Sequence, residues 1–482
     1  MSDELSRKTI PIQPLTADGE VVSLYAASKK IYPRTVQGLF ARWRWVLVVL
    51  TQLVFYGLPW LEWGQRQAVL FDLGSRRFYI FGLVLYPQDF IYLTGLLVIS
   101  ALSLFLFTAV AGRLWCGYAC PQTVYSELFM WIERQIEGDR SARIRLDDAD
   151  FSLEKLVKKW YKHLLWIGLS IWTGFTFVGY FTPIHDLGLS FFTTQMGSWE
   201  IFWVFFYGFA TYGNAGFMRE QVCKYMCPYA RFQSAMFDHD TLIVTYDPQR
   251  GEPRGPRARG VDSKASGLGD CVDCTLCVQV CPTGIDIRQG LQYECIGCGA
   301  CIDVCDTVMD KMGYPRGLIR YSTDNAVKGK YSDRAILSHV MRPRTLIYGA
   351  ILLAIIGAFL TTLYLRVPLK VDVMRDRTTL VRVLADGRLE NVYRLQIMNT
   401  TESARRFTVT ASGIDGIEVL AELPAAVPAA GSIILPVALR ADPAKAGAGS
   451  HKVLFRIEDV DDPRISDTEK SSFISTQNVP AR

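Results

Sequence analysis

The 482-residue chain carries 52 Lys and Arg against 47 Asp and Glu, a net charge of +5, and half of its residues are hydrophobic. Its apolar residues are gathered into long runs with aromatic flanks, unlike those of a soluble enzyme, and the length suggests about three domains. The basic residues sit beside those runs, which excludes a nucleic-acid surface; there is no glycine-rich phosphate loop, and the five histidines are too scattered to ligate a haem.

In chain order, residues 1–40 read as a polar cytoplasmic arm, and the absence of a basic segment followed by an apolar one predicts no cleavable signal. Five spans follow: Trp45–Leu61, Phe90–Ala111, Leu164–Phe181, Ile201–Phe217 and Leu346–Leu365. Each approaches the ~20 residues that a helix needs to cross the hydrocarbon core. Trp43, Trp60, Trp160 and Trp199 at their ends fit an interfacial belt. Gln52 and Gly57-Leu58-Pro59 interrupt the first span, the weakest.

Lys29, Lys30, Arg34, Arg42 and Arg44 precede the first span, and Arg134 to Lys162 crowd the loop between the second and third. The loop from Thr182 to Glu200 has no Lys or Arg. The positive-inside rule then puts the N-terminus inside and the C-terminus outside.

All twelve cysteines fall into four clusters. Two copies of Cys-x3-Cys-Pro stand past the second and fourth spans: Cys116, Cys120 and Pro121, then Cys223, Cys227 and Pro228, each with a central tyrosine. A spacing of i, i+4 puts both sulfurs on one helical face, and the proline starts a new helix. Repetition of the hexad at equal depth argues against incidental buried cysteines. The four thiolates hold either a further cluster or zinc, or else bind a soft ion transiently or cycle as a dithiol. Accessibility at the membrane edge favours the second pair of readings.

Asp247 to Gly260, rich in Pro, Gly and Arg, reads as a solvated linker; the other reading is that its arginines tune nearby anionic clusters. Next come Cys271, Cys274, Cys277 and Cys281-Pro282, then Cys295, Cys298, Cys301 and Cys305, both at x2-x2-x3 spacing. Such runs bind two [4Fe–4S] clusters, the fourth cysteine of each completing the other's cluster. Cys271, Cys274 and Cys277 are therefore expected to pair with Cys305, and Cys295, Cys298 and Cys301 with Cys281. Zinc ribbons space two pairs well apart, and dense cytoplasmic cysteines argue against disulfides. Asp306 stands where the first run has its proline.

Beyond Arg366, β-branched runs at Thr379–Val383, Val392–Met398, Phe407–Ala411, Ile417–Leu420, Ile433–Leu439, Val453–Ile457 and Ser472–Thr476 predict a seven-stranded immunoglobulin-like sandwich. The expected chain is multi-domain: the arm (1–40), a four-span region with the first motif (41–222), the second motif, linker and ferredoxin-type domain (223–343), a fifth helix (344–366) and an all-β periplasmic domain (367–482).

Taken together, Trp115-Cys-Gly-Tyr-Ala-Cys-Pro, Cys223-Lys-Tyr-Met-Cys-Pro, the Tyr246-Asp-Pro-Gln-Arg-Gly-Glu-Pro-Arg-Gly stretch, the two ferredoxin runs and the fifth span with its sandwich resemble the cytochrome c oxidase accessory proteins of the CcoG, FixG and RdxA type. The resemblance covers nearly the whole chain. It implies a membrane cupric reductase that serves assembly of a cbb3-type oxidase, with that oxidase or its copper chaperones as partners. Cys116, Cys120, Cys223 and Cys227 are then the residues to hold copper. Quinol-oxidising membrane ferredoxins of the NapH type share the four spans and the motifs, and a non-redox scaffold is a third class. The electron donor and any homo-oligomer are left open.

Overall fold

The computed structural model describes residues 30–259, 267–332, 335–376 and 380–475. Residues 1–29 of the expected arm lie outside them. Helix α1 (Leu39–Gly57) runs into a 3-10 turn at Leu58–Trp60, as expected from Pro59. A small antiparallel sheet follows, β1 (Val69–Asp72), β2 (Arg77–Ile80) and β3 (Leu83–Leu85), and then α2 (Phe90–Ala111). Short α3 (Leu114–Tyr118), amphipathic α4 (Pro121–Glu137) and α5 (Arg140–Asp148) lead to α6 (Leu153–Val178), whose N-terminus Ser152 caps by accepting from the Lys155 amide. Helix α7 (Ile184–Phe192) joins α6 to α8 (Ser198–Thr211).

Among the described residues, three helical segments are long and apolar enough to cross a membrane: Leu39–Trp60, Pro87–Ala111 and Pro343–Tyr364. The expected fourth span is not one regular α-helix, because α8 gives way to π-helical turns at Tyr212–Met218 and again at Val222–Met226. Helices α6 and α8 lie backbone to backbone, and a Cβ on Gly208 would stand 3.3 Å from the Ser170 carbonyl.

After α9 (Pro228–Met236), strand β4 (Ile243–Tyr246) pairs antiparallel with β5 (Ile319–Ser322) and brackets the ferredoxin runs. Helix α10 (Ala300–Met312) carries Cys301 and Cys305. The solvated-linker reading of Asp247 to Gly260 is corrected for its described part. Arg250 pairs with Asp270 at 2.6 Å, the Gly255 amide donates to the Cys271 carbonyl at 3.2 Å, and Arg257 bonds the Tyr314 hydroxyl at 2.9 Å. The composition forbade a long element but could not reveal these tertiary partners, which strap the segment onto the domain.

Helix α11 (Pro343–Tyr364) leads to two facing sheets. One has the order Glu418–Leu420, Ser432–Ala441, Leu389–Asn399, Leu369–Arg375, with Arg382–Val383 also on Leu389–Asn399. The other has the order Ala425–Val427, Arg405–Ser412, Gly449–Asp459, Ser466–Ser475. Tyr393, Phe407, Phe455 and Phe473 are fully buried between them. The seven expected strands become nine among the described residues: Leu369–Arg375, whose alternation of Leu369, Val371 and Val373 with Lys370 and Asp372 is a strand pattern, was missed next to the fifth helix, and Ala425–Val427 is only three residues long. Of the expected Thr379–Val383 strand, only Arg382–Val383 pairs among the described residues.

The sandwich rests on the β1–β3 sheet. Tyr86 donates to the Gly431 carbonyl at 3.1 Å, Leu70, Tyr79 and Val84 share a core with Met398, and Arg366 pairs with Asp89. At the opposite helix ends lies the ferredoxin-type domain, where the Asp303 carboxylate accepts the Phe40 and Ala41 amides at the start of α1 (3.2 and 2.8 Å).

Candidate functional site

Each Cys-x3-Cys-Pro folds the same way. Cys116 lies in α3 and Cys223 in the second π-helical turn, while Cys120 and Cys227 are extended and cap α4 and α9, whose first residues are Pro121 and Pro228. Proline is preorganised for that first position and has no amide to waste there. As expected from the proline, the pair straddles a helix end and a new start: α3 stops at Tyr118 and Cys120 caps α4, so Cys120 lies outside the helix that holds Cys116. Burial raises the Cys120 thiol, and the amides of Gln122 and Thr123 at the α4 terminus oppose that rise.

The two motifs meet. They are close enough to couple: ionising Cys120 or Cys223 would raise Cys116, and ionising Cys227 would raise Cys120 and Cys223. Burial pushes Cys116 up to about 12 and Cys223 up to about 11. Among the described residues no three His, Cys, Asp or Glu side chains close on one point as a preset single-ion cage. The four thiols are gathered but would have to close on an ion.

The ferredoxin cysteines group by charge interaction. Cys305 lies among Cys277, Cys271 and Cys274, and burial followed by these neighbours pushes it up to about 12. Cys281 lies with Cys295, Cys298 and Cys301, and these four line one cavity together with Cys277 of the first run. A four-iron cluster is larger than an ion, so its thiols surround a volume instead of a point. This soft, all-sulfur donor set suits iron–sulfur ligation.

The second run touches the first membrane motif directly. Cys116 packs in one apolar group with Ile296, Cys298 and Cys301. A Cβ on Gly117 would stand 2.8 Å from the Ile296 carbonyl oxygen and 2.9 Å from the Cys298 Cα, so only glycine permits this approach. Tyr321 donates to the Gly297 carbonyl at 2.6 Å and meets the Tyr118 hydroxyl at 3.3 Å. The same loop is thus joined to α3 by backbone contact and by a hydroxyl chain.

Sequence reasoning missed three residues here. Arg113, only 6% exposed, donates to the Ala230 carbonyl (2.7 Å), and its charge acts on Cys116, Cys223 and Cys295 together. The Gln233 amide lies 3.6 Å from the Cys116 sulfur. Asp303 caps α1, as above. None carries a spacing signal; the register position of Arg113 is Glu220 in the second copy.

Comparison with known proteins agrees with this layout. Residues 93–137 match a 4Fe-4S binding domain, 218–324 a 4Fe-4S dicluster domain, and 359–476 the IG-like fold at the C-terminus of FixG. The protein RdxB of Cereibacter sphaeroides is 41% identical over 401 residues, 82% of this chain and 84% of RdxB. This chain belongs to the FixG/RdxA family. The nitrogen fixation protein FixG of Rhizobium meliloti is 40% identical over 422 residues, covering 81% of this chain and 80% of FixG. RdxA of Cereibacter sphaeroides is 38% identical over 404 residues, 82% of this chain and 84% of RdxA. A solved FixG-related protein from Vibrio parahaemolyticus is 25% identical and covers 22% of this chain and 96% of its own, with a TM-score of 0.21. The 4Fe-4S matches make the chain a FixG-like iron–sulfur protein of electron transfer. The first of these matches spans Cys116 and Cys120 alone among the cysteines, so iron–sulfur likeness extends to the membrane edge.

Proposed function

We propose that this FixG/RdxA-family chain reduces Cu(II) to Cu(I) at the membrane edge for assembly of a cbb3-type oxidase. The observation that carries the reading is the backbone contact of Gly117 with Ile296 and Cys298, which seats the membrane motif on the second ferredoxin run. Cys271, Cys274, Cys277 and Cys305 would hold one [4Fe–4S] cluster, and Cys281, Cys295, Cys298 and Cys301 the other. Bound there, such clusters supply electrons singly, and one electron converts Cu(II) to Cu(I).

The copper substrate is bound by Cys116, Cys120, Cys223 and Cys227, whose soft sulfur favours the reduced ion. Substrate binding displaces the thiol protons, since the ligand is the thiolate. The α4 amides at Cys120 and the buried charge of Arg113 favour that anionic form. A set that is gathered without being preclosed suits an ion that arrives and leaves.

In this reading α6 and α8 join the three long apolar helices as five spans. The Lys/Arg bias then puts the arm and the ferredoxin-type domain in the cytoplasm and the sandwich in the periplasm. An observation favours a second reading, quinol oxidation. An open apolar cleft of about 530 Å³ between Trp43, Phe107, Trp115 and Tyr118 reaches Tyr321 beside the same loop.

The test is Cu(II) reduction by dithionite-reduced, full-length protein, with quinol oxidation followed in parallel. Exchange of Cys116 and Cys120 for serine is expected to abolish copper reduction and to leave the ferredoxin iron in place. Full copper reduction by that variant sinks the assignment, and quinol oxidation without copper reduction selects the second reading.

A further inference from the structure

A second polar cavity lies where the arm, α1, α4, α5 and the ferredoxin-type domain meet. Its wall carries the guanidinium groups of Arg34, Arg44, Arg134 and Arg143 against one carboxylate, Glu127, and Pro282 closes it from the ferredoxin side. Arg44 is 8% and Arg143 3% exposed, and each has an Nε without a hydrogen-bond partner.

The carboxylates nearby are already engaged. Glu127 stands 3.5 Å from Arg44, and Glu133 serves Arg143 and Arg219 at 3.1 and 3.0 Å. Asp139 accepts the Thr35 amide at 3.1 Å. Among the described residues, neither Arg34 nor Arg134 has a carboxylate at ion-pair distance. Burial lowers the Arg134 pKa, with the charges of Glu127 and Asp139 opposing that shift and those of Arg143 and Arg44 adding to it. An excess of guanidinium charge around a cavity, with Arg134 half-buried and exposed Arg34 at its mouth, is unfavourable until an anion occupies it.

We propose that this cavity binds a phosphate-class anion, the headgroup phosphate of an anionic membrane lipid or free inorganic phosphate, which clamps the ferredoxin-type domain to the helices. Size agrees: the cavity offers about 40 Å³. One water needs about 10–15 Å³ on the same measure, so a group of roughly three water volumes fits and a nucleotide does not. Planar guanidinium forks match phosphate oxygens two at a time. Trp45, also in the wall and packed edge-on against Trp131 (ring centres 6.4 Å), is of a residue type enriched at headgroup level. The clamp follows from the wall: the Arg34 amide already bonds the Gln279 carbonyl at 2.8 Å, so an anion on Arg34 and Arg134 ties the ferredoxin side to α4.

The experiment uses full-length protein in nanodiscs, with thermal loss of the iron–sulfur absorbance as the readout. One arm compares pure phosphatidylcholine with discs that contain phosphatidylglycerol. The other titrates inorganic phosphate into pure phosphatidylcholine discs against chloride at equal ionic strength. The midpoint is expected to rise in at least one arm, and the arm that responds identifies the source. Arg134→Gln is expected to weaken the response about tenfold, as loss of one charged hydrogen bond does. Exposed Arg34→Gln, which strands no partner, tests the same site if Arg134→Gln folds poorly. No rise in either arm, or equal responses of the wild type and both variants, overturns the proposal.

Discussion

Replacing Gly117 by alanine tests whether contact between the membrane motif and the second ferredoxin run matters. The added Cβ would meet the Ile296 oxygen at 2.8 Å and the Cys298 nitrogen and Cα at 2.9 Å, all of them backbone atoms. Comfortable carbon contacts begin near 3.5 Å, so the loop must retreat by roughly 0.6 Å. It cannot yield as a side chain would, because Gly297 and Gly299 on either side of Cys298 hold φ of +65° and +72°. Overpacking of this kind costs about 1–3 kcal/mol, and alanine recovers up to about 1 kcal/mol in helix propensity. A net loss of about 1–2 kcal/mol is expected. Thermal unfolding measures it, and single-turnover Cu(II) reduction by prereduced protein should be slower at unchanged iron content. Gly168→Ala on α6 is the control, since nothing lies within 4 Å of its Cβ. Wild-type melting and copper reduction rate in Gly117→Ala would refute the reasoning.

Anaerobically purified protein should hold about eight irons per chain, and Cys298→Ser should lose part of one cluster's share; zinc in place of iron contradicts the ligand sets, and iron well above eight puts a further cluster on the membrane motifs. Glu133→Gln should destabilise by about 3–5 kcal/mol, because buried Arg143, Lys162 and Arg219 lose the carboxylate they share. The charges of Arg219, Lys162 and Arg143 outweigh burial and hold the Glu133 carboxyl below its ordinary value. Its contribution is therefore fully present above the unfolded pKa, about 4.3, and fades as pH falls through the folded value. The gap between variant and wild type should stay flat from pH 6 to 8; a gap that closes within that range would show that Glu133 is not held ionised. A reporter active only in the periplasm should be active when fused after Arg482 and silent after Asp262; the reverse pattern means a miscounted span, and the interrupted first helix would be the one to suspect.

The chain's own residues determined what depends on local chemistry. Cysteine spacing pointed to iron–sulfur chemistry, which the 4Fe-4S matches support, and of the five spans expected from apolar length, those near 45–61, 90–111 and 346–365 fall in the three long apolar helices among the described residues. Proline after Cys120 and Cys227 placed two helix starts to the residue, because its ring fixes φ and removes a donor whatever surrounds it. Tertiary structure alone decided which groups meet. Gly117 is one more small residue in the sequence until Ile296 and Cys298, some 180 positions on, pack against it. Arg113 looks like any charge at a membrane edge until burial sets it between two groups of thiols. Leu369–Arg375 becomes a strand through its pairing with Leu389–Asn399, and residues 247–259 are held down by partners up to dozens of residues away. Backbone dihedrals and hydrophobic length act within a few residues and can be read there. Close approach, burial of charge and sheet pairing are set by residues distant in the chain, and only the folded arrangement brings them together.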